Sequence, residues 1–101
     1  MSEQQQLQSL VQELQMIRGQ IQSLTSQMNE ISLTVEALKT QSKDRAVYRA
    51  LGAILLEVED RDALSKDLEE SKKTIEPHLV RLNEREAEIR AEYARVAENL
   101  E

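Results

Sequence analysis

Residues 46–58 read Ala46-Val47-Tyr48-Arg49-Ala50-Leu51-Gly52-Ala53-Ile54-Leu55-Leu56-Glu57-Val58, and they form the only stretch of the chain with a strand-like pattern. Two short β-prone runs flank Gly52-Ala53, a pair that fits a type II′ turn with glycine in the first central position. That turn makes Leu51 face Ile54, Arg49 face Leu56 and Val47 face Val58 on one side of a hairpin. Ala50 with Leu55, and Tyr48 with Glu57, then occupy the other side. Apolar residues therefore stand on both faces. A helix running unbroken through this stretch is the alternative reading.

Upstream, residues 2–42 place apolar side chains at Leu7, Leu10, Leu14, Ile17, Ile21, Leu24, Met28, Ile31, Val35 and Leu38. The steps alternate three and four. With Leu7, Leu14, Ile21, Met28 and Val35 at position a of a heptad, the other five fall at d. A period of 3.5 residues held this long stays on one face only if helices supercoil around each other. Gly19 costs about 1 kcal/mol against alanine in a helix, which ten seam residues outweigh. Downstream, residues 60–101 repeat the pattern less regularly. Leu68, Ile75, Leu82, Ile89 and Val96 recur every seven, and their partner row is Ser65, Lys72, Leu79, Glu86, Tyr93 and Leu100. Asp60 is placed to cap this helix and Asp62 favours its first turn. Pro77 falls inside it, which predicts a kink and leaves the Lys73 carbonyl without its usual partner.

Composition narrows the function. The chain has 101 residues, 2 Gly, 1 Pro, no Cys, Trp or Phe, and 2 Tyr, a palette of long helices rather than of a compact enzyme. Nineteen acidic against thirteen basic residues argue against binding nucleic acid or an anionic membrane surface. No run approaches the roughly 20 apolar residues that span a bilayer. The opening Met-Ser-Glu-Gln-Gln-Gln lacks the basic start and apolar core of a signal peptide, so the cytoplasm is the expected compartment. The only glycines, Gly19 and Gly52, form no phosphate loop. Glu84, Glu86 and Glu88 step by two around a helix and do not converge on a metal, and His78 stands alone beside Pro77. No cofactor, metal or catalytic activity is expected.

Two helices of about 40 residues each extend about 60 Å. Joined by a hairpin, they predict an antiparallel coiled coil with both termini at one end. A two-stranded hairpin is marginal in water and its open edges invite pairing. With apolar residues on both faces and no third element to cover them, it should join the hairpins of other chains. The fold expected is mainly α: one unit, 1–101, comprising helix 2–42, hairpin 46–58 and helix 60–101.

The run Val47-Tyr48-Arg49-Ala50-Leu51-Gly52-Ala53-Ile54-Leu55-Leu56-Glu57-Val58, followed by Ala63-Leu64, Leu68 and Lys73-Thr74-Ile75-Glu76, resembles the β-type subunit of prefoldin. The resemblance covers essentially the whole chain. A single hairpin is similar to the β-type rather than to the α-type subunit, which carries two. Pro77 and a short C-terminal tail depart from the family pattern. The resemblance implies an ATP-independent holdase, a hetero-hexamer of two α-type and four β-type subunits. In it the hairpins assemble into intersubunit β-barrels, and coiled-coil tips hold unfolded clients for delivery to a group II chaperonin. Val47, Tyr48, Leu51, Gly52, Ile54, Leu55, Leu56 and Val58 are then the assembly residues.

Fraying at the helix ends points to client binding by Leu7, Leu10, Val11, Leu14, Met16 and Ile17 on one helix with Tyr93, Val96 and Leu100 on the other. Val11 and Met16 lie off the seam and widen the apolar surface. The plainer reading makes Leu7, Leu10 and Leu14 seam residues packed on Val96 and Leu100. Lys72 and Glu86 either set the register of the coil or extend to water. Glu98 and Glu101 either meet basic chaperonin residues or are a solvated helix end. Two further functions stay open: a structural coiled-coil scaffold, and a prefoldin-like subunit that assembles with itself.

Overall fold

A reciprocal capping box starts the chain. Ser2 Oγ accepts from the Gln5 N–H at 3.1 Å, while Gln5 Oε1 accepts from the Ser2 N–H at 3.2 Å. In this computed structural model, which describes residues 2–100, four elements follow: α1 (Glu3–Thr40), β1 (Tyr48–Leu51), β2 (Ile54–Glu57) and α2 (Arg61–Leu100). Glu3 in the first turn of α1 and Lys39 in the last both complement the helix dipole. The Asp60 carboxylate accepts from the Ala63 N–H at 3.0 Å and so caps α2. α2 continues through Pro77 without a break.

The two helices lie antiparallel and are nearly equal, 38 and 40 residues. All ten seam residues of α1 are buried or half-buried, and of its other residues only Gln6 and Glu13 escape full exposure. The 3.5-residue period thus marks the contact face directly. On α2 the heptad row from Leu68 to Val96 is covered in the same way. Its partner row follows only as far as Glu86: Ser65, Lys72, Leu79 and Glu86 are half-buried, but beyond them Tyr93 and Leu100, read from the sequence as seam residues, are exposed, while Glu92 and Ala97 are half-buried. The contact line slips by one residue, because an α-helix with 3.6 residues per turn drifts off a strict heptad unless it supercoils fully.

Full burial is concentrated at one end. Leu10, Ile17, Ile89 and Val96 form one cluster, with Leu7, Leu14, Ile21 and Leu82 packed against it. Ile89 is completely inaccessible to solvent. This cluster lies near the termini. The seam is thus packed close to the helix ends expected to fray: leucine and β-branched residues of the distal half interlock, whereas toward the hairpin the seam carries Met28 and Lys72. Val35 is the buried residue nearest the hairpin. Glu86, at a seam position, is held by Arg18 across the coil at 3.4 Å and by Arg90 at 3.5 Å. Such pairs contribute little stability when exposed, but a half-buried one penalises other registers.

The hairpin has the expected register, Tyr48 opposite Glu57, Arg49 opposite Leu56, Ala50 opposite Leu55 and Leu51 opposite Ile54. The Val58 N–H donates to the Val47 carbonyl at 2.7 Å and extends the pairing by one step. Gly52 has φ 60°, and Ala53 keeps a negative φ, which is the type II′ combination. The molecule measures 67 × 25 × 16 Å. Its radius of gyration is 20.6 Å, against about 13 Å for a compact chain of this length. A rod of this kind has one layer of core, so removing volume from it is costly. Ile89→Ala should destabilise the chain by about 2–5 kcal/mol, read as a lower urea midpoint, whereas Leu33→Ala, at a site 72% exposed, should change it by less than about 0.5 kcal/mol.

Candidate functional site

Apart from the isolated Leu33 and Val80, the large exposed apolar side chains gather in two regions of the rod. The first is the hairpin. All eight residues of β1 and β2 are exposed, on both faces of the two-stranded sheet. Tyr48, Leu51, Ile54, Leu55 and Leu56 retain between 49% and 67% of their accessible surface. Only Val47 and Val58, at the root, are half-buried. Among the described residues the strands come into close backbone contact with each other and with neither helix.

The two faces differ in what lies beside them. Leu51, Leu56 and Val58, with Arg49, line a shallow groove closed on its other side by Ala63 and Leu64 of the first turn of α2. Ala50 and Leu55 point away from that groove. A second, mainly apolar groove runs between the last turns of α1 and the chain entering β1, lined by Ala37, Leu38, Ala46 and Val47. The hairpin is therefore an apolar tongue with a cleft at each side of its base.

The second region is the tip. Leu10, Ile17 and Val96, expected among the client-binding residues, are in the buried cluster, and Leu7 and Leu14 are half-buried against it. Val11, Met16, Tyr93 and Leu100 are exposed. Leu7, Val11 and Tyr93 come together with Gln8 and Gln12 in an open groove of 520 Å³ between the two helices. Met16 is not part of it: five residues beyond Val11, it stands about 140° further round the helix. Leu100 lies two turns beyond Tyr93 on the same stripe of α2. Gln8 and Gln12 were legible as groove residues only through their i, i+4 spacing beside Val11.

Arg85 joins the helices, with Nη2 donating to Glu13 Oε1 at 2.8 Å and Nε to the same oxygen at 3.0 Å. Its Nη1 reaches Glu88 at 3.2 Å. These hydrogen bonds to Glu13 and Glu88 raise the guanidinium pKa above its ordinary value. Glu98 is exposed on the last turn of α2, and Glu101 lies outside the described residues. Among the described residues no three histidine, aspartate or glutamate side chains gather as metal ligands do, and no helix is long and apolar enough to cross a membrane.

Comparison with known proteins agrees with this architecture. A family model described as prefoldin subunit matches residues 1–101. Prefoldin subunit beta of Archaeoglobus fulgidus is 28% identical over 103 residues, covering 95% of this chain and 88% of its own. The subunit of the same name from Pyrococcus furiosus is 30% identical over 84 residues, 83% of this chain and 71% of its own. Among solved structures, the prefoldin beta2 subunit from Thermococcus strain KS-1 superposes with a TM-score of 0.80 at 29% identity, over 93% of this chain and 99% of that one. The prefoldin beta subunit of the same strain gives the same TM-score at 22% identity, over 96% and 84% of the two chains, and speaks for the fold alone.

Proposed function

This chain belongs to the prefoldin subunit family, a family of chaperone subunits, and from that premise we propose that it is a β-type subunit of an ATP-independent holdase. The observation that carries this reading is the apolar hairpin left bare on both faces at one end of a coiled coil whose other end carries a groove with Val11 and Tyr93 exposed in it. In the proposed assembly, hairpins from an α-type subunit and from further β-type copies cover one another and close into β-barrels, forming a hexamer. Closure removes the open edges that make an isolated hairpin marginal. The coils then project from a common body, in the cytoplasm, where the group II chaperonin that receives the client is found.

Client binding is assigned to the exposed part of the tip. Val11 and Tyr93 are the core of the site, with Leu7 at the floor of the groove and Leu100 extending it, while Met16 offers a separate apolar contact on another face of α1. Leu10, Leu14 and Val96 support it from below and meet a client only when the last turns open. Burying one such side chain contributes about 1–3 kcal/mol, so a single tip holds weakly. Several tips on one flexible client multiply through effective concentration. Gln8 and Gln12 supply donors and acceptors on flexible stems, which suit many sequences. Release needs no hydrolysis, because weak contacts exchange and a stronger acceptor, the chaperonin, takes the client.

One observation favours the scaffold alternative. The tip is the best-packed part of the coil, as a purely structural rod requires. Suppression of aggregation of a denatured protein separates the two readings: a holdase suppresses it and a scaffold does not. Native mass with and without an α-type partner separates hexamer from self-assembly.

Removing residues 1–12 and 96–101 would strip Leu10 and Val96 from the core and confuse binding with stability. Substitution on the surface is cleaner. Val11→Ser with Tyr93→Ser should raise the concentration needed to suppress aggregation by about tenfold while assembly is unchanged. Wild-type potency in that double variant would reject the groove. Gly52→Val tests the other end. Nothing lies within 4 Å of a Cβ at that position, so its effect comes through the backbone alone. A β-branched residue at φ 60° is strained by about 1–2 kcal/mol, and the variant should assemble more weakly while its circular dichroism stays helical.

A further inference from the structure

The first residue of α2 breaks a local rule. A cation at a helix N-terminus faces the positive end of that helix's own dipole, yet Arg61 stands there. Its guanidinium serves a different element. Nη1 donates to the carbonyl oxygens of Gln41 at 3.4 Å and Ser42 at 3.0 Å, and Nη2 donates to the carbonyl oxygen of Arg45. The first two acceptors lie immediately past the end of α1, where the dipole favours a cation, and the third lies further along the same connector. Asp60 and Asp62, on either side of Arg61, supply the negative charge that α2 itself calls for.

The location gives this fork its meaning. No close backbone contact ties the hairpin to either helix, so its direction depends on the connectors 41–47 and 58–60. The hydrogen bond from Val58 to Val47 joins the two connectors where the strands begin. The turn in which the Arg45 N–H donates to the Ser42 carbonyl shapes the first connector. Arg61 then fastens that connector, at three points, to the start of α2.

We infer that Arg61 is a positioning residue that sets the angle at which the hairpin leaves the coil, and through that angle the ability of hairpins from several chains to meet. A planar guanidinium with donors in fixed directions can hold three carbonyls in one arrangement, whereas a lysine ammonium on its flexible stem cannot. The second half of the inference rests on the assembly role proposed above for the hairpin; the first half does not.

The chain has no cysteine, so spin labels at Ala53→Cys and Ser32→Cys report the distance between hairpin and coil. Diluting labelled into unlabelled chain keeps only distances within one molecule. Arg61→Gln should broaden the distance distribution about twofold and raise the midpoint of assembly, followed by sedimentation, about tenfold, as expected for loss of charged hydrogen bonds. Helicity should be unchanged, and Arg61→Lys should fall between the two. A glutamine variant with the wild-type distance width overturns the inference, and so does a lysine variant indistinguishable from wild type. Loss of helicity in both variants would make Arg61 a folding residue and overturn it equally. Wild-type protein that stays monomeric would instead remove the assembly reading, and the distance widths would still decide whether Arg61 orients the hairpin.

Discussion

One apolar seam carries the tertiary structure of this chain. The helices touch each other, the strands touch each other, and among the described residues no close backbone contact joins the two pairs. A fold with a single contact line cannot redistribute strain, so its character follows from how that line is packed. Here it is tightest near the termini, where Leu10, Ile17, Ile89 and Val96 close on one another and Arg18, Glu86, Glu13 and Arg85 bridge the flanks. Toward the middle, α2 carries Lys72 in the seam and Pro77 in its interior. The rod is therefore best packed at the end that carries the groove.

The hairpin is the inverse case. Its backbone is satisfied by a type II′ turn and a short ladder, but neither face is covered. Hydrogen bonding gives it a shape, and burial within this one chain gives it no stability. Its apolar residues gain only by leaving water in company, which is why the same segment that is least supported in one chain is the best placed to join several. The fork made by Arg61 links these two unequal parts, and it does so at the expense of a local electrostatic preference that the neighbouring aspartates restore.

How much of this could be read in advance depended on the kind of information involved. The seam of α1 was legible because a period of 3.5 residues has one geometric meaning, and every residue assigned to it is shielded. The register of the hairpin was legible because Gly52-Ala53 selects one turn, and the turn then sets each pair from Leu51 and Ile54 outward. The distal part of α2 was not, since whether Tyr93 or Glu92 faces the partner depends on how far the helices supercoil, a property of the pair and not of either sequence. The role of Arg61 was hidden for a similar reason. Its partners are backbone carbonyls of residues 41, 42 and 45, and a carbonyl has no signature in the amino-acid alphabet.

The burial of Leu10 and Val96 bears on how the tip would hold a client in the role proposed for it. If clients bound the seam itself, each capture would have to open a well-packed cluster, and the cost of exposing Ile89 and its neighbours, about 2–5 kcal/mol per large side chain, would cancel what the client contributed. A groove on the flank avoids that exchange. Val11 and Tyr93 are exposed before binding, so covering them is a net gain of apolar burial, and the coil beneath need not move. In the proposed role the packed seam and the exposed flank are complementary: the first keeps two helices at the spacing that creates the groove, and the second leaves Val11 and Tyr93 free to exchange clients.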